Sequence, residues 1–334
     1  MSKTLQQSPE LAASRAPDWW MDAWRMAYCD EAAARVPVAG LPLHGAKGAA
    51  RLQTQTNLQS SYLDVEPSVS DADALAKELF ADPATAMVSL DYLSEHSRAL
   101  ALLRKVKDFH RLERRHASRA LTDTSRPYEE WLAGRPTKRR KRLRALDRGM
   151  PGAIAASFTV HARADDALLE SIFALEAKGW KGRGGTAVSQ NRADLVFYTE
   201  LARAAEREGA LRIITIRDGA QLVAFEYDVL HQGRLLSAKV GYDEEYAALQ
   251  PGSWLALRTI CWACAEPDIR LIDMLGNSAH ISENKARFGD LREDLWHVRL
   301  FRRSPKGTAL YAAHAARQQL KQLKQLKALL RRSR

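Results

Sequence analysis

The residues whose types and spacing suggest chemistry lie between Lys239 and Leu255, KVGYDEEYAALQPGSWL. An apolar strand pattern (Leu235, Leu236, Ala238, Val240) runs into a loop carrying Tyr242, Asp243, Glu244 and Tyr246, then into Pro251-Gly252-Ser253 ahead of an apolar helix over 254–265. The first amides of a helix have no partner within the helix and point outward, and the helix dipole adds positive potential there. Gly252 lets a ligand approach that backbone, so the turn suits an anion such as a phosphate. The same residue types also make a plain N-cap, and spacing alone does not separate the two.

The elements that must position this stretch read clearly on either side of it. A helix over 165–178 places Leu168, Leu169, Ile172, Phe173 and Leu175 on one side and ends in a loop, Gly179-Trp180-Lys181-Gly182-Arg183-Gly184-Gly185. A second helix over 192–207 stops at Gly209. Strands over 211–217 and 221–230 flank the hairpin signal Asp218-Gly219, and a turn at Gln232-Gly233 leads to a third strand over 235–240. After the apolar helix come a strand over 270–274, a short helix over 281–288 and a last strand over 295–301.

The N-terminal half alternates strands and helices. Residues 1–15 are polar and expected to be disordered. Asp18 opens a helix whose Trp19, Trp20, Trp24, Ala27 and Tyr28 form a packed face. Strand-like pieces follow at 36–43 and 50–54, a loop at 56–64, a helix at 71–80, a strand at 85–90, a helix at 97–107 and a strand at 109–114. No glycine-rich phosphate turn occurs there, so this half is expected to shape the acceptor site or the fold. Pro127 to Leu132 then opens a linking helix with the basic block Lys138-Arg139-Arg140-Lys141-Arg142, followed by Arg144 and Arg148.

Composition narrows the class. With 46% hydrophobic and 27% charged residues in 334, the chain is an ordinary globular protein with room for two domains. No run of about twenty apolar residues is present to cross a bilayer, and residues 1–20 do not read as a signal peptide. The expected compartment is the cytoplasm, which three cysteines also fit. Cys261 and Cys264 form a C-x-x-C without a second ligand pair, so buried thiols are expected there and no metal. The formal charge of +11 suits nucleic acid, an anionic surface or anionic substrates. The excess sits in the linking helix and in a tail, residues 318–330, where leucines and lysines alternate in triplets. Leucines spaced by three drift around a helix, so that tail reads as a basic amphipathic surface helix, with contact to anionic lipid or nucleic acid as the sharper reading.

The stretch at 239–255 resembles the hallmark segment of GNAT acyltransferases of the BioF2-like type, relatives of the cellulose-biosynthesis CelD and FemAB-like proteins, in which a K-x-x-Y-D-E-x-Y run leads to a Pro-Gly helix start. A second block, Leu175 to Lys181 followed by Gly184-Gly185-Thr186-Ala187, matches the same family, with Phe197-Tyr198 and Asp273 in the expected order. Ser89 to Leu93 resembles the family's signature after a strand. The chain departs from the pattern at Leu249-Gln250, where a smaller polar residue is usual. The resemblance implies an α+β fold of tandem GNAT-like domains with mixed, mainly antiparallel sheets. It divides the chain into a degenerate first copy over 16–126, a basic linking helix over 127–154, a GNAT domain over 155–304 and a basic helix over 305–334.

The same resemblance implies transfer of an acyl group from acyl-CoA, acetyl-CoA in the simplest case, to an amine or hydroxyl acceptor in cell-envelope or exopolysaccharide biosynthesis. Pantetheine would lie between the strands at 235–240 and 270–274 and the pyrophosphate on the helix beginning at Gly252-Ser253, with Lys239, Val240, Gln250, Pro251, Gly252 and Ser253 as the cofactor's contacts. Acyl transfer needs a base, an acid for the leaving thiolate and oxyanion donors. Glu226, Asp243 and Glu244 are the candidate bases, Tyr242 and Tyr246 the candidate acids. Glu176, Trp180, Lys181 and Asp273 are the candidate acceptor contacts. Each carboxylate, taken singly, also fits a cap or surface role. The acceptor is expected to be a small molecule, glycan or peptide. Two rivals stand beside this: a FemAB-like transferase fed by aminoacyl-tRNA, for which the basic helices would bind tRNA, and a catalytically silent protein that binds an anionic polymer.

Overall fold

The computed structural model describes residues 3–4, 15–29, 35–45, 48, 50–57, 63–275 and 283–332. The disorder expected over 1–15 lies outside these residues apart from Lys3, Thr4 and Arg15, as do residues 58–62 of the expected loop and the start of the helix expected over 281–288. The chain forms two compact units, one drawing its described residues from 1–29 and 117–294, the other from 30–57, 63–116 and 295–332. Each is discontinuous in sequence, whereas the sequence reading cut the chain into consecutive segments.

In the second of these units, neighbouring strands run in the order Arg35–Val38, Leu41–His44, Arg51–Thr54, Met87–Ser94 and Leu291–Arg302. Helices Ala72–Leu79 and Arg98–Lys105 bury Leu75, Leu79, Leu100 and Leu103 against Val88, Leu90, Val298 and Leu300. Asp71 and Ser97 cap those helices by accepting from the amides of Asp73, Ala74 and Leu100. The strand expected over 36–43 is instead a hairpin, because Ala39 and Gly40 both take the left-handed conformation.

In the unit that holds the Pro-Gly turn, the strand order is Phe109–Asp123 (from Ala117 on), Leu271–Asp273, Arg234–Tyr242, Gln221–His231, Leu211–Asp218 and Ala156–His161. All neighbours are antiparallel except Arg234–Tyr242 with Leu271–Asp273. Helices cover both faces, as side chains alternate along Gln221–His231. Glu226 meets Thr259 of helix Pro251–Ala263, whereas Tyr227 donates to the carbonyl of Tyr198 in helix Arg192–Arg207. The basic linking helix is two helices, Tyr128–Ala133 and Thr137–Ala153, whose Trp131, Leu132 and Leu143 pack on Leu257, Ile260 and Ile272.

Two strands exceed expectation. The strand placed at 109–114 continues to Asp123, through a segment whose arginines disguise it; Arg119 is fully buried because its charge meets Asp273, Nη1 to Oδ2 3.2 Å. The short edge strand Ala156–His161 was not expected at all. The helix Asp18–Tyr28 belongs with this unit, as Trp20 and Tyr28 pack against Phe197 and Tyr28 hydrogen-bonds Asp194. Trp20→Ala should therefore destabilise the unit by about 3–5 kcal/mol. Urea unfolding followed by the fluorescence of the remaining tryptophans measures it, and a loss under about 1 kcal/mol would contradict this packing.

Candidate active site

Strand Arg234–Tyr242 pairs with Leu271–Asp273 only at Arg234, Leu235 and Leu236. Beyond Leu236 a bulge between Ser237 and Lys239 shifts its register on Gln221–His231, and the two parallel neighbours part. A cleft of about 730 Å³ occupies the gap, between the Gly179–Lys181 loop, Lys239–Tyr242, the turn Gln250–Ser253 and Met274, Lys285 and Arg287.

On the face covered by helix Pro251–Ala263, the cleft reaches Glu226 and Thr259. Glu226 is buried, and its Oε2 accepts from the Thr259 hydroxyl at 2.6 Å. Burial pushes its carboxyl up to about 7, the threonine bond offsetting part of that effect. Two residues along the same strand face, Asp228 is fully buried and held well above the usual carboxylate range, by burial first and then by the charge of Glu226. A carboxyl that titrates near neutrality beside a cleft is suited to accept a proton from an incoming nucleophile.

The opposite face carries a compact polar knot. Lys181 Nζ donates to Glu176 Oε1 and to the carbonyl of Val240, both at 2.7 Å. Lys239 Nζ lies 3.5 Å from the same Glu176 oxygen and 5.0 Å from the centre of the Tyr198 ring. Glu176 completes its bonding through Oε2, which accepts from the amide of Val188 at 2.9 Å. At the rim, Glu244 accepts from both Arg183 Nη atoms, which above all hold its carboxyl below the usual range, and from the amide of Trp180. Trp180 is 60% exposed beside the opening.

At the other end, Gln250 takes the left-handed conformation (φ 54°), which turns the chain sharply into Pro251 at the first helical position. The amides of Ser253 and Trp254 return to the carbonyl of Gln250. Gly252 leaves room beside the Tyr242 ring, whose Cδ1 would lie 3.4 Å from an added Cβ. Arg287, from helix Glu283–Phe288, donates to Ser253 Oγ at 3.3 Å and brings a cation to the helix start.

Most of the expected site residues thus meet at one cleft: Glu176, Trp180, Lys181, Glu226, Lys239, Val240, Tyr242, Glu244, Gln250, Pro251, Gly252 and Ser253 all line it. Asp243, Asp273 and Tyr246 do not line it. Asp243 is buried as the cap of the 3-10 turn Glu244–Leu249, accepting from the amide of Glu245 at 3.1 Å and from Gln221 at 3.3 Å. Asp273 is fully buried against Arg119 and accepts from the amide of Leu275 at 2.8 Å. Glu244 is tied to Arg183 and accepts from the amide of Trp180. Tyr246 bonds Asp218 at 3.2 Å outside the cleft lining. Cys261 and Cys264 are half-buried thiols raised by burial. Thr259, Lys285 and Arg287 were missed, since only the fold brings them to the cleft.

Residues 137–284, which contain most of this cleft, match the family model described as an acetyltransferase (GNAT) domain. The fold is of the GNAT type. No curated protein matches the chain. Among solved structures it is similar to FemX, with 12% identity, a TM-score of 0.55, and coverage of 88% of this chain and 96% of that one. It is also similar to L-PGS from Bacillus licheniformis (13% identity, TM-score 0.53, 92% and 97% covered). A third is the C-terminal domain of a putative lysylphosphatidylglycerol synthetase from Agrobacterium fabrum (12%, 0.54, 89% and 91%). At such identities the likeness is one of fold. It extends over both units of the chain, beyond the residues that the GNAT family model matches.

Two measurements check these assignments. Between the unfolded carboxyl value of 4.5 and the folded value of about 7, the native chain keeps a Glu226 proton that the unfolded chain has lost. Its contribution is fully present below 4.5 and is lost as pH rises through 7, by up to about 1.4 kcal/mol per pH unit. Glu226→Gln should flatten that decline and melt above the wild type at pH 8; an unchanged pH profile would contradict the assignment. Asp243→Asn should instead cost about 1 kcal/mol of stability at neutral pH, as a lost cap does, with ligand binding at the cleft intact.

Proposed function

We propose that the chain is an acyl-CoA-dependent acyltransferase that acylates an amine or hydroxyl, with the cleft between the parted strands as its active site. The observation that carries this reading is the Gln250–Ser253 turn at the cleft mouth, where a helix start, a glycine and the Arg287 cation converge. The Gly252 amide and the Ser253 hydroxyl would receive the pyrophosphate, Arg287 would balance its charge, and the parted strands would admit the pantetheine. Glu226 takes the proton of the attacking amine or hydroxyl, its raised affinity for protons matching that task at neutral pH. Tyr242, 37% exposed at the mouth, is placed to return a proton to the departing thiolate. Trp180, Lys181 and Lys239 form the acceptor side.

The resemblance to CelD and FemAB-like proteins, and the fold likeness to a putative lysylphosphatidylglycerol synthetase domain, support an acceptor from the cell envelope or an exopolysaccharide. A cytoplasmic location and an acceptor-shaping role for the N-terminal unit belong to the same reading. An aminoacyl-tRNA donor is the second reading, favoured by the fold likeness to FemX and by the basic block Lys138–Arg142.

Titration calorimetry with CoA tests the assignment. The wild type should bind, and Gly252→Val should bind at least about tenfold more weakly at an unchanged melting temperature, because a branched side chain blocks approach to the backbone. Equal CoA affinity in the two would remove the phosphate assignment. Stabilisation by charged tRNA with none by CoA would move the donor to the second reading.

A further inference from the structure

The last helix, Pro305–Arg332, takes no part in the cleft. Its beginning is anchored: Tyr311 stacks on His110 with centroids 4.7 Å apart and meets Phe301 edge-on, and His314 lies against Phe301. Further along, the helix offers two large apolar side chains to solvent, Leu320 and Leu323, which are 57% and 54% exposed. Lys321 and Lys324, also exposed, stand between and after them.

The sequence continues this pattern to its end. Leu326, Leu329 and Leu330 alternate with Lys327, Arg331, Arg332 and Arg334, and no Asp or Glu occurs anywhere from Pro305 onward. At about 3.6 residues per turn, positions 320, 323, 326, 329 and 330 fall on one half of the helix circumference. Positions 321, 324, 331 and 332 fall on the other, and Lys327 stands at the border between the two. An apolar arc beside one whose charges are all positive cannot be satisfied by water alone or by a polyanion alone. It matches a surface that is apolar just beneath a layer of negative charge.

We propose that the C-terminal turns of this helix dock the protein on an anionic lipid bilayer, lying in the interface with Leu320 and Leu323 towards the acyl chains and the lysines among the headgroups. The helix lies on the membrane and does not cross it, since no helix among the described residues is long and apolar enough to span one. A nucleic-acid backbone would engage the lysines and leave both leucines in water, so it accounts for half of the surface. The occupant is therefore a membrane of net negative charge. An acyltransferase held there would meet membrane-linked acceptors, yet the docking stands or falls independently of the cleft chemistry.

The test is sedimentation of the full chain with vesicles of equal phosphatidylglycerol and phosphatidylcholine, with phosphatidylcholine alone, and with a short RNA duplex as competitor. Binding to the anionic vesicles, weakened by salt, with little binding to the neutral ones, is the expected result. Lys321→Gln/Lys324→Gln/Lys327→Gln should lower partitioning by about a hundredfold. Leu320→Gln/Leu323→Gln should lower it by about tenfold or more, through the loss of apolar burial. Both variants alter exposed positions or the end of the helix, and unchanged melting temperature and CoA affinity confirm that the rest of the protein is intact. Absence of binding to anionic vesicles, or equal binding to neutral ones, would overturn the proposal. So would a leucine variant that binds like the wild type while RNA displaces the vesicles.

Discussion

The cleft depends on the satisfaction of backbone groups where two parallel neighbours stop pairing. Strand Arg234–Tyr242 and segment Leu271–Asp273 share only three register positions, and every peptide group beyond them needs another partner if the gap is to stay open. Side chains supply those partners. Lys181 takes the carbonyl of Val240, the Tyr198 hydroxyl takes that of Ala238 at 3.3 Å, and Lys285 takes those of Met274 and Leu275. The split is thus held from both sides, and the space between is available to a ligand instead of a fourth register position.

That arrangement also sets the electrostatics. Lys181 and Lys239 share the single carboxylate of Glu176, so that side of the cleft is a tied polar knot with one positive charge in excess and not an open basic patch. Across the sheet, Glu226 and Asp228 lie on one strand face under an apolar helix, where two negative charges would be costly, and both hold protons more firmly than free carboxyls. Arg287 at the helix start is the cation best placed for an incoming phosphate, and its bond to Ser253 aims it there.

Local signals were legible in the sequence, and long-range ones were not. The Pro251-Gly252-Ser253 helix start, the meander with its Asp218-Gly219 hairpin, and Glu226 on the middle strand all read from short windows and stand where they were placed. The cap at Asp243 was not legible, because an Asp ahead of Glu-Glu reads equally as a reactive loop and as a cap, and only the fold shows the bond to the Glu245 amide. The buried pair at Asp273 was illegible for a different reason: its partner Arg119 lies 154 residues away, in a strand that its own arginines disguised. Thr259 and Arg287 were silent because neither has meaning until helices Pro251–Ala263 and Glu283–Phe288 reach the cleft.

The central claim is that Glu226 is the proton acceptor of an acyl transfer from CoA. The pH dependence of kcat/KM for acetyl-CoA, measured with a panel of amino sugars, dipeptides and polyamines as acceptors, tests it most directly. The account predicts a rate that climbs with pH and levels off near 7, with Glu226→Gln at least about a hundredfold slower and without that break. A wild-type profile that is flat from pH 5.5 to 8, or a Glu226→Gln enzyme as fast as the wild type, would contradict it.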